Sequence, residues 1–136
     1  MVTKLNVSAY NGQPSSNDKI DGGPCYALCD VQALASSNAI VLATRRSNNQ
    51  AYDLGFDTAD IGTLILELTT RDYKDSEWCD ISQPNRVVAA DAYTLRRIEH
   101  DDTTEKKLYL SYYLKFAISS NNQILMMVSN HLSGRT

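Results

Sequence analysis

The sequence predicts an α+β domain: an antiparallel β-sheet meander packed by two to three N-terminal helices. Three observations carry this. From Lys106 the chain alternates, with Leu108, Leu110, Tyr112, Leu114, Phe116 and Ile118 pointing one way. Tyr109, Ser111, Tyr113, Lys115 and Ala117 point the other way, which is the mark of a half-buried strand. Behind a capping Asp57 or Thr58, Ile61, Leu64, Ile65 and Leu68 recur at helical spacing. Finally, the helical stretches come first and the β-rich stretches last.

A chain of 136 residues is read as one domain, residues 25–136, behind a partly loop-like N-terminal extension, residues 1–24. Such a chain buries roughly two-thirds of its unfolded surface and needs no covalent staples. Three cysteines, an odd number, argue against a disulfide framework. Apolar runs stop at about five residues and no signal-peptide pattern opens the chain, so a cytoplasmic protein without a membrane span is expected. The net charge of −3 is unevenly spread. All 16 acids lie in residues 1–105, whereas residues 106–136 hold four basic residues and no acid. A locally positive surface on an acidic protein still attracts a polyanion, although a hairpin can also lack acids by chance.

In chain order, Lys4 to Tyr10 alternates weakly and reads as a short edge strand, and Asn11 to Pro24 reads as loop. Cys25 to Ser36 follows helical spacing. Cys25 and Cys29 stand one turn apart but lack a second ligand pair, so no metal site is expected. Ala39 to Thr44 is a short β-type run. Ser47 to Tyr52 reads as a polar helical turn stopped by Gly55. After the helix from Asp57, Thr69 or Thr70 caps a short helix over Arg71–Ser76. Glu77 to Asn85, polar and containing Pro84, reads as an exposed loop that carries Trp78. Arg86 to Ile98 is extended. Glu99 to Glu105, with His100, turns into the alternating strand, and Gln123 to His131 returns beside it. Antiparallel pairing is expected to bring His131 near Lys107 and Tyr109. The chain has no phosphate-binding glycine loop, dinucleotide pattern or zinc spacing, so no cofactor is expected.

The stretch VQALASSNAIVLATRRSNNQAYDLGFDTADIGTLILELTTRDYKDS resembles the N-terminal half of the MqsR family of bacterial toxins. LYLSYYLKF and ILMMVSNH resemble that family's later strands, so the likeness spans roughly residues 30–131. It implies a RelE-like fold and a metal-independent endoribonuclease that cuts mRNA. It also implies a cognate antitoxin as partner. Lys74 takes the place of the family's lysine once a one-residue gap is allowed; without the gap Asp75 falls there. Tyr109 matches a strand tyrosine, and His131 falls where the family has a basic residue. A family glutamine falls on Ala90 here. The N-terminal extension, the acidic balance and Arg96-Arg97 are further departures.

Metal-free RNA cleavage uses the adjacent 2′-hydroxyl as nucleophile. The protein must move protons and stabilise charge on phosphorus. His131 suits proton transfer near neutral pH. Lys74, Lys115 or Arg86 can stabilise the phosphorane, with Tyr109 as orienting group. Tyr113 and Tyr109 can stack on a base, and Lys107 and Arg96 can meet phosphates. The catalytic candidates are therefore His131, Tyr109 and Lys74, and the RNA contacts are Lys115, Tyr113, Arg86, Lys107 and Arg96. Arg45-Arg46 and Arg96-Arg97 read equally well as partners of the upstream acids. A catalytically silent protein-binding module on the same fold is the alternative.

Overall fold

A computed structural model describes residues 18–82 and 85–135. The elements are α1 (Leu28–Ser36), β1 (Ile40–Leu42), α2 (Arg45–Leu54), α3 (Thr58–Leu66), a 3-10 turn (Thr70–Asp72), β2 (Tyr73–Ser82), β3 (Asn85–Asp101), β4 (Lys106–Ile118) and β5 (Leu125–Arg135). The strands form one open sheet in the order β1-β5-β4-β3-β2. Strands β2 to β5 are an antiparallel meander, while β1 runs parallel to β5.

The α+β class and the meander agree with the sequence, but the sheet is mixed and β1 sits between α1 and α2. Backbone bonds explain β1. Leu125 donates to the carbonyl of Ala39, and Ala43 donates to that of Met127, so this short strand covers part of the β5 edge. The expected edge strand at Lys4–Tyr10 lies outside the described residues.

The helix caps follow local chemistry. Asp57 accepts from the backbone of Asp60, and the Asp60 side chain accepts from the backbone of Asp57. Thr44 and Ser47 cap α2 in the same reciprocal way. Gly55 ends α2 at φ 72°, the left-handed conformation that glycine adopts at no steric cost. Gln32 of α1 donates to the carbonyls of Ile65, Leu66 and Leu68, and so helps satisfy the backbone acceptors at the end of α3.

The helices cover one face of the sheet. Val31, Ala35, Ile61 and Ile65 pack with Tyr93, Leu114, Phe116 and Met127 in a single buried cluster. Tyr93 stacks on Phe116 at 5.5 Å between centroids. The alternation from Leu110 through Ile118 therefore reports the inner face correctly.

Two sequence expectations fail over residues 71–85. Arg71–Ser76 is not a helix: the 3-10 turn closes at Asp72 and β2 begins at Tyr73. Of the expected exposed loop Glu77–Asn85, residues 77–82 are strand, because β2 continues to Ser82 with Glu77, Cys79 and Ile81 buried, while residues 83–84 lie outside the described residues. Polar residues disguised this strand. Glu77 is buried because its ion-pair partners come from distant segments, Lys19 and Lys115. Residues 18–20 in turn flank β2: Trp78 donates to the carbonyl of Asp18, and Ile20 donates to that of Ser76.

A second anchor fixes the chain entering α1. The buried carboxylate of Asp91 accepts from the backbone of Cys25 and Tyr26 and from the Ser76 hydroxyl. Burial raises the Asp91 pKa above the ordinary range, and these donors limit the rise. Cys25 is buried and Cys29 exposed, so the two do not face one site.

Candidate nucleic-acid interface

The sheet face turned away from the helices carries most of the residues singled out in the sequence. Residues directly opposite in a ladder share a face. The pairs Ala92/Lys115, Thr94/Tyr113, Arg96/Ser111, Ile98/Tyr109 and His100/Lys107 therefore line up along β3 and β4 on this outer face. His131 of β5 stands opposite Tyr113 and joins the same row.

Tyr113 and His131 stack, with ring centroids 5.1 Å apart and planes 27° from parallel. Both are half-buried, which leaves ring surface for a ligand. Burial raises the pKa of the Tyr113 phenol, with Lys115 opposing. The phenol is therefore a hydrogen-bond donor at neutral pH and not a base.

His131 does not reach the start of β4 as the sequence suggested. It faces Tyr113, not Lys107 or Tyr109. Two features account for this. β5 runs on to Arg135, so the histidine lies inside the strand. The β4–β5 ladder also shifts register between Ser111 and Tyr112 and again between Lys115 and Phe116. Tyr109 is half-exposed on the outer face, four residues along β4 from Tyr113, or roughly 13 Å of backbone.

The lysines separate. Lys74 is exposed at the irregularity between Tyr73 and Asp75 on β2. Tyr73, Tyr93, Leu114 and Asn130 form one row across four strands, so Lys74 stands about three strand spacings, roughly 14 Å, from His131. The expected gathering of Lys74, Tyr109 and His131 around one point is thus not what the sheet builds, since each sits on a different strand or row.

Lys115 lies in the right row but is buried. Its ammonium is 2.6 Å from Glu77 Oε2 and 5.6 Å from the centre of the Tyr113 ring. Burial alone would raise the Glu77 pKa, but hydrogen bonds from Lys115 and Lys19 hold it below the ordinary carboxylate range. Burial would likewise lower Lys115, and Glu77 outweighs it, so the lysine stays charged and engaged. It lies beside the Tyr113 ring and is neutralised toward a phosphate.

The remaining cations are free of such burial. Arg96 and Lys107 are exposed on the outer face. His100 is exposed and lies 3.1 Å from Asp102 at the hairpin tip. Arg97 points to the helix side, where it pairs with Glu67 and Glu99. Arg86 lies opposite Ile81, and its side chain is outside the described residues. From the Thr94/Tyr113 row to the His100/Lys107 row, no acid stands on the outer face among the described residues of β3 to β5.

Sequence reasoning missed Glu77, which decides the fate of Lys115, and Ile98, which is exposed opposite Tyr109. The alternation Arg96, Ile98, His100 was a usable signal for the second. No local signal announces the first, because its partners lie 38 and 58 residues away.

No family model matches the chain, and no curated protein or solved structure matches it either. No helix among the described residues is long and apolar enough to cross a membrane.

Proposed function

We propose that the chain is an MqsR-like toxin: a metal-independent endoribonuclease with a RelE-like fold that cuts cytoplasmic mRNA and is neutralised by a cognate antitoxin. The observation that carries the RNA reading is the Tyr113–His131 stack on the outer sheet face with Arg96 one row away, where the described residues of β3 to β5 place no acid from that row to the hairpin tip. Aromatic surface beside cations suits single-stranded RNA, whose bases stack while its phosphates seek positive charge.

In this reading a base lies on the Tyr113–His131 pair, and the adjoining phosphate lies toward Arg96. His131 serves as the acid or base that moves a proton between the 2′-hydroxyl, the protein and the leaving 5′-oxygen. The 2′-oxygen bonds to phosphorus, the 5′-oxygen bond breaks, and a cyclic phosphate remains. Arg96 supplies the positive charge assigned from sequence to Lys74, Lys115 or Arg86, because it lies exposed beside the stack whereas Lys74 stands on another strand and Lys115 is engaged by Glu77.

Inducible expression in a bacterium tests the proposal. Growth arrest by the wild-type chain, its relief by His131→Ala, and cyclic-phosphate ends on RNA treated with purified protein are expected. Harmless expression together with intact RNA in vitro overturns it.

The distance of Lys74 from His131 and the neutralised Lys115 favour one further reading, a catalytically silent module that binds protein. Recovery of a stable protein complex without RNA from cells, unaffected by His131→Ala, would select it.

A further inference from the structure

We propose that Ile98 and Tyr109 form a second base-binding platform, which holds another nucleobase of the same single-stranded RNA whose first base rests on Tyr113 and His131. The inference builds on the RNA reading above and adds a subsite and a minimum substrate length to it.

Ile98 is 63% exposed and Tyr109 49% exposed, and they stand directly opposite each other across β3 and β4. Both project from the outer face, where an isoleucine gains nothing from water. Cross-strand neighbours in this position combine into one flat apolar surface. Cations bracket it on both sides. Arg96 lies one row toward the stack, and Lys107 lies one row toward the hairpin tip. An apolar, aromatic surface between positive side chains matches a base between two phosphates. The charge argues for an anionic partner over a neutral protein surface, and the flat aromatic face between the cations for one that carries bases.

The platform and the stack are four residues apart on β4, roughly 13 Å. A stacked strand advances about 3.4 Å per nucleotide, and an unstacked one advances further. A strand of about three to five nucleotides therefore reaches from one to the other. Beyond Lys107 the tip carries Asp101, Asp102 and Glu105, which repel phosphate and end the track there. Tyr109 thus acts as a specificity residue for a neighbouring base and not as an orienting group at the cleaved bond.

The test is fluorescence-anisotropy binding of the full chain to 2′-O-methyl oligonucleotides, which lack the nucleophilic hydroxyl and stay intact. Lengths from two to eight nucleotides are compared for the wild type, Ile98→Ser, Tyr109→Ser and Tyr113→Ala. Affinity is expected to rise steeply once the length reaches both platforms. Ile98→Ser and Tyr109→Ser should then weaken the long oligonucleotides about five- to a hundred-fold and leave the shortest unchanged. Removing the base at one end of a long oligonucleotide should reproduce that loss in the wild type and add nothing in Ile98→Ser. Equal affinity of wild type and both exposed-face variants at every length, with Tyr113→Ala still weakened, overturns the platform while the RNA reading stands. The same result alongside loss of a protein complex assigns the surface to protein. Absence of binding to any oligonucleotide overturns both.

Discussion

Tyr113 and His131 face each other across β4 and β5 with ring centroids 5.1 Å apart, and the buried Lys115 ammonium lies 5.6 Å from the centre of the Tyr113 ring. The side chain proposed to move protons is therefore held by an aromatic ring that lies beside a buried lysine. Tyr113→Ala should weaken single-stranded RNA binding by about 1–3 kcal/mol, as loss of one stacking partner does. It should also cut turnover by more than the binding loss, because His131 loses its lateral restraint. Binding isotherms beside single-turnover cleavage rates check this. Equal losses in both would mean that the stack binds but does not position.

Glu77 holds Lys115 at 2.6 Å and Lys19 at 2.7 Å. Glu77→Gln leaves Lys115 buried without its counter-ion and should cost about 3–5 kcal/mol of stability. Adding Lys115→Met should return part of that loss, since the stranded charge is then gone. Urea denaturation of the two variants and the wild type reads both effects.

The same carboxylate gives a pH signature. The folded pKa of Glu77 lies below the ordinary value, so its contribution is present above the ordinary glutamate range and is lost as pH falls through the lowered folded value. The stability gap between wild type and Glu77→Gln should narrow on acidification over that window. A gap that stays constant into strong acid would show that the ion pair is not its source.

Asp91 titrates with the opposite sign. Its folded pKa is raised by burial, so the stability tied to its protonation is present below the ordinary aspartate range and is lost as pH rises through the raised value. Asp91→Asn removes this dependence and turns an amide toward donors from Cys25, Tyr26 and Ser76. A loss of about 1–3 kcal/mol near neutral pH is expected. Thermal melts across the acidic range measure the size and the slope.

Gly55 ends α2 at φ 72°, with open space where a Cβ would stand. Gly55→Ala should cost about 1 kcal/mol from backbone strain alone. A shift in urea midpoint without a change in slope would confirm that nothing else moves.

The helices were legible because their determinants are local. Asp57 with Asp60, and Gly55 after α2, act within one turn. The strand over 106–118 was legible because its inner face packs one continuous core. β2 was not, because a polar run reads as loop until something distant neutralises it. The outer-face cluster of Arg96, Tyr109, Tyr113 and His131 was nominated residue by residue, yet its geometry came out differently. Lys74 fell on another strand, and Lys115 was claimed by Glu77.

By itself the sequence determined the class of the domain, its capped helices, the two faces of β4 and the acid-free stretch from residue 106 onward. These follow from periodicity and from contacts within a few residues. Only the tertiary structure decided that β1 runs parallel to β5, that Glu77 is buried, and that His131 meets Tyr113 instead of Tyr109. Those outcomes depend on strand register, on ladder irregularities that shift it, and on ion pairs between segments far apart in the chain, and none of these leaves a local trace in the residues themselves.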